Sequence, residues 1–124
     1  MRALLLSFAF LGVCGTASAV FEDDIYAQAA AEHVREALAQ KEPLQWKKGA
    51  LVVPNADVAK AIHRAVAGAV YGKADVDSER PFRAVRSGDY WVVFGSLPRG
   101  WVGGTAITVI RASDGRVMRI IHEQ

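Results

Sequence analysis

The chain has 124 residues, with 15 Lys+Arg against 13 Asp+Glu and a formal net charge of +2. So small an imbalance, with no clustered Lys/Arg face, argues against a nucleic-acid partner, and a single cysteine excludes a disulfide framework. Hydrophobic residues make up 52% of the chain, enough for one core and one domain at this length.

The N-terminus reads as an export signal. Arg2 is basic, Ala3 to Val13 is almost wholly apolar, and Ala17-Ser18-Ala19 supplies the small side chains that a signal peptidase admits. The apolar run is far shorter than the roughly 20 residues of a bilayer span, so no stable membrane span is expected. Cys14 follows Leu11-Gly12-Val13, the outline of a lipoprotein site. Bulky Val13 stands where that processing wants Gly, Ala or Ser, which favours ordinary cleavage near Ala19 over lipidation of Cys14. Cleavage removes the one cysteine, and a cysteine-free exported domain is ordinary for the bacterial periplasm. The expected organisation is a signal peptide over 1–19, an N-terminal helix and connector over 20–50, and an α+β domain over 51–124, periplasmic or secreted.

Glu22 to about Gln40 predicts a helix: it lacks Gly and Pro, opens on acids, and carries Tyr26, Ala30, Val34, Ala37 and Leu38 as a narrow apolar stripe. Pro43 ends it, and Lys41 to Gly49 is a polar connector around Trp46. After the apolar run Leu51-Val52-Val53, Asn55 is placed to cap a helix over Ala56 to Tyr71. Its apolar side is expected to hold Ala59, Ile62, Ala65/Val66, Ala69 and Val70, with Lys60, His63 and Arg64 opposite. Gly72 stands where a helix commonly closes, and Lys73 to Arg80 reads as a charged loop.

Strands are expected over Phe82–Arg86, Tyr90–Gly95, Thr105–Arg111 and Arg116–Ile121. The connections are Ser87-Gly88-Asp89, a Pro/Gly-rich stretch from Ser96 to Gly104, and Ser113-Asp114-Gly115. Asp-Gly between apolar runs is a strong hairpin signal. Tyr90 to Phe94 is apolar at every position, the pattern of a central strand covered on both faces, which puts Trp91 and Phe94 in the core. The architecture is therefore α+β: N-terminal helices packed on one face of a curved, cone-like four-stranded antiparallel sheet.

Few residues of the chain carry chemistry. His33, His63 and His122 fall on separate elements without metal-ligand spacing. No serine sits in a nucleophile elbow, and Gly100, Gly103 and Gly104 open no phosphate-binding helix. Asp75, Asp77, Asp89 and Asp114 belong to loops or turns, and no acid falls inside an expected strand, so the buried acid of an isomerase-like cone is missing. No catalytic residue, metal or cofactor is expected. Arg99 and Trp101, in the Gly-flanked loop between the second and third strands, are the partner-binding candidates, since Trp and Arg dominate the energetic centres of protein interfaces. Trp101 folded back as a plug is the competing reading. Charge is uneven: residues 20–57 carry seven acids and four bases, and 78–124 carry seven arginines and four acids. Such a tilt orients encounter with a charged partner, although scattered arginines also suit a solvated sheet face.

An ordered set of fragments resembles a bacterial immunity-protein family with a nuclear-transport-factor-2-like fold. It comprises Val53-Pro54 ahead of Ala59 and Ile62, Tyr71-Gly72, Pro81-Phe82, Trp91-Val92-Val93, Gly95-Ser96-Leu97-Pro98, Gly103-Gly104 and Asp114-Gly115-Arg116-Val117. The resemblance covers about residues 51–122. It implies a cone of the nuclear-transport-factor-2 or cystatin kind, and a protein that neutralises a cognate toxin by binding it, with no catalytic residues to carry over. The rival reading is an accessory or inhibitory module for a peptidase or another envelope component, since the strand pair around Asp114-Gly115 also resembles such modules.

Overall fold

The computed structural model describes residues 16–39 and 49–124, which divide into two units, residues 1–43 and 44–124. The first unit holds one helix, α1 (Thr16–Ala39). It starts six residues before the expected Glu22, inside the segment read as signal peptide, so Glu22, Asp23 and Asp24 are mid-helix and the first turn carries no acid. The rest of the expected signal, residues 1–15 with Cys14, and the connector around Trp46 lie outside the described residues.

In the second unit the order is α2 (Ala56–Tyr71), α3 (Lys73–Ser78), then β1 (Arg83–Ser87), β2 (Tyr90–Phe94), β3 (Ala106–Arg111) and β4 (Val117–His122). Asn55 caps α2 as its residue type predicts: it is extended, and Oδ1 accepts from the Val58 N–H at 3.0 Å. At the other end Gly72 takes φ 100°, and its N–H donates to the Gly68 carbonyl. The expected loop over Lys73 to Arg80 is instead largely the short helix α3. Six charge-rich residues have little helical tendency alone; Val76, fully buried, and a two-pronged Arg64–Asp77 pair hold them against α2.

The strands form one open antiparallel meander in the order β1-β2-β3-β4, each joined to its neighbour in sequence. Ser87 pairs with Tyr90 across a tight turn with Gly88 at φ 55°. At the β3–β4 hairpin Gly115 takes φ 74°, which favours glycine. Asp114 completes that turn by accepting from the Arg111 guanidinium and from the Arg116 N–H, and these bonds hold its carboxyl down to about 2. One bulge falls between Val109 and Ile110 in the pairing with β4.

α2 lies across one face of this sheet. Ala59, His63 and Ala67 form its buried stripe, with Ile62 and Val66 half-buried beside it. Ala59 joins Val53, Val93 and Ile110 in one cluster; Ala67 joins Val76 and Ala106 in another; Phe82 packs against both. Trp91 belongs to the first cluster, and its Nε1–H donates to the Val53 carbonyl at 2.9 Å. That bond, with Val53 N donating to the Ala112 carbonyl, ties the chain ahead of α2 to the sheet. The helix is therefore rotated from its expected setting. Ala65, Ala69 and Val70 face out, and His63, expected opposite the core, lies inside it. Small alanines let helix and sheet approach closely, and a ring that shares a hydrogen bond with Thr108 fills the remaining space.

Candidate functional site

Among the described residues of the 49–124 unit, three places bear on function, apart from a shallow hollow of about 420 Å³ along α2 lined by Ala61, Ala65, Gly68 and Ala69. The first is a line of polar groups between helix and sheet. His63 is 0% exposed; its Nδ1 and Thr108 Oγ1 share a 2.8 Å hydrogen bond, and its ring meets Phe82 edge-on at 4.8 Å. Burial lowers its pKa, opposed in part by the Glu79 charge, and its Nε2 has no hydrogen-bond partner. An imidazole sealed this way fills the core and does not meet substrate.

Glu79, also buried, corrects the expectation that no interior acid exists. It lies between α3 and β1, outside every expected strand. Oε2 accepts from the Ala106 N–H at 3.0 Å, Oε1 accepts from His122 Nε2 at 3.2 Å, and the Glu79 carbonyl accepts from Ser96 N–H. Tyr71 packs edge-on against His122. The carboxylate supplies an acceptor where the β2–β3 ladder ends, so its role is to fasten α3 to the sheet. Among the described residues no three His, Cys, Asp or Glu side chains converge as metal ligands.

The second place is the loop after β2. Trp101 is 71% exposed and Val102 fully so, with Leu97 also exposed. Trp101 N–H donates to the Pro98 carbonyl, with Gly100 at φ 84° making the bend. Ser96 anchors the loop base, its hydroxyl donating to the Pro81 carbonyl at 2.6 Å. Trp101, Leu97 and Pro98 wall a hollow of about 290 Å³ whose opposite side is Asp75, Ser78 and Glu79. Trp101 thus stands open and is no core plug. Arg99 shares the loop and is exposed but does not line the hollow. Around the hollow both serine hydroxyls donate to carbonyls and both Glu79 oxygens are engaged. The arrangement offers shape and an aromatic face and no free nucleophile.

The third place is the sheet face turned away from α2. Thr108 touches His63, so its strand neighbours Ile107 and Val109 point the other way, and the register carries that assignment across the sheet. One row there is Arg83, Phe94, Ile107, Ile121; the next is Val85, Val92, Val109, Arg119; Tyr90 pairs with Arg111 beyond them. Among the described residues of this unit no helix lies on this face, and Val85 (44%) and Tyr90 (36%) are open to solvent. This corrects the expectation that β2 is covered on both sides and that Phe94 is core: β2 is central, but its Tyr90-Val92-Phe94 side is only half-buried. Composition does not reveal this, because an apolar strand side is the same whether a helix or a partner covers it.

A family model described as "NTF2 fold immunity protein" matches residues 58–124, from the first turn of α2 to the end of the chain. No curated protein and no solved structure matches.

Proposed function

The chain belongs to the NTF2 fold immunity protein family, and from that premise we propose that it neutralises a cognate protein toxin by non-covalent binding, without turning over a substrate. The match over α2, α3 and the whole sheet carries this reading. The polar groups support it, since the buried ones hold the fold together, and the open loop and sheet face present apolar and aromatic side chains with arginines at their margins. Trp101 and Arg99, on a loop that projects from the end of β2, are the contact residues we assign: a large rigid side chain and a guanidinium supply the most binding energy per residue ordered. Export follows from the N-terminal pattern, so neutralisation takes place in the periplasm after cleavage near Ala19.

Co-expression tests both parts. With the toxin encoded beside this gene, the full chain should restore growth and a form lacking residues 1–19 should not. Rescue by the truncated form would overturn the periplasmic assignment. Failure of the full chain, with binding to a neighbouring peptidase or envelope enzyme instead, would replace the toxin with the accessory-module reading.

A further inference from the structure

The sheet face turned away from α2 carries two exposed arginines at its edges, besides Arg111, whose charge Asp114 offsets. The middle of this face is apolar, with Ile107 buried, Val92, Phe94 and Val109 half-buried and Val85 exposed on β1, and Arg83 and Arg119 stand exposed at opposite edge strands. Among the described residues neither guanidinium has an ion pair; of the acids near this face, Asp114 is bound to Arg111 and Glu123 follows β4 opposite Thr105, at the end of the sheet away from the Ser87–Tyr90 turn. Three strand spacings across and two residues along the strand separate Arg83 and Arg119 by roughly 16 Å.

We propose that this face is the toxin's main docking surface, and that the toxin covers it with an apolar patch flanked by two Asp or Glu side chains at that separation. The proposal rests on the toxin-binding reading above and adds the surface and the partner's chemistry. An arginine keeps its charge throughout the accessible pH range and accepts a carboxylate in a two-pronged geometry. Desolvating either one without such a partner would be costly, so the pair selects for an acidic rim. The same feature disfavours a second copy of this chain as occupant, because it would bring arginine-bearing faces together.

The test titrates the purified toxin domain, encoded beside the gene, into wild-type protein and an Arg83→Glu/Arg119→Glu double variant by calorimetry. The double variant should bind on the order of 100-fold more weakly, with an unchanged melting temperature because both side chains are exposed. A Lys60→Glu/Lys73→Glu variant, equal in charge change but on the helices, should bind within about threefold of wild type. Equal weakening by both pairs, or full affinity in the arginine variant, overturns the docking face while leaving the toxin reading intact. Wild-type protein that does not bind the toxin overturns the toxin reading itself. A wild-type dimer by light scattering that Val92→Glu dissociates also overturns the proposal, since the face would then belong to a second copy.

Discussion

Replacing Glu79 with alanine should loosen the junction of α3 with the sheet. In the native fold its carboxylate accepts from the Ala106 N–H, and Ala106 is 0% exposed, so no water can take over the bond. A buried N–H left without an acceptor costs about 1–3 kcal/mol, and loss of an ionised acceptor sits at the upper end. The His122 contact and the space vacated beside Gly95 add to this, since the Glu79 side chain fills the position where a Gly95 Cβ would stand. The expected destabilisation is about 3 kcal/mol, or roughly 12–20 °C in Tm for a domain of this size. Glu79→Gln retains a neutral acceptor and should cost about 1 kcal/mol. Urea denaturation of wild type and both variants, followed by tryptophan fluorescence and circular dichroism, measures the difference. A Glu79→Ala cost below about 1 kcal/mol, or equal to that of Glu79→Gln, would refute the idea that the carboxylate holds this junction.

Removing the α2 cap with Asn55→Ala should cost about 1 kcal/mol by the same denaturation assay. His63 is neutral in the fold and its pKa is lowered by burial, so the unfolded chain takes its proton first. Its contribution is complete above pH 6.5 and declines below it by up to about 1.4 kcal/mol per pH unit until the folded imidazole itself protonates. A pH series of melts should show this slope, and His63→Gln should remove it. Gly115→Ala puts a side chain at φ 74° and a Cβ 3.0 Å from Val52 Cγ1, and should cost about 1–2 kcal/mol in denaturant. Trp101→Ala should leave stability within about 0.5 kcal/mol of wild type while weakening toxin binding in a titration. A large fall in Tm would mean that the ring supports the fold.

Local chemistry alone specifies much of this protein. Asn55 as a cap, Gly72 as a stop, the turns at Gly88 and Asp114-Gly115, and four strands in meander order are legible because each depends on residues within a few positions of itself. So is the family, through the spacing of those same signals. Tertiary structure decided the rest. The helical identity of Lys73–Ser78 depends on Val76 and on Arg64 of α2, 13 residues before its partner Asp77. The rotation of α2 depends on Thr108, 45 residues distant, because a histidine is polar or core according to whether it finds a partner. Burial of Glu79 depends on Ala106, and the open side of β2 on where the helices lie. A single position in a sequence carries the identity of a side chain; its neighbours across the core set its cost, its charge state and its exposure.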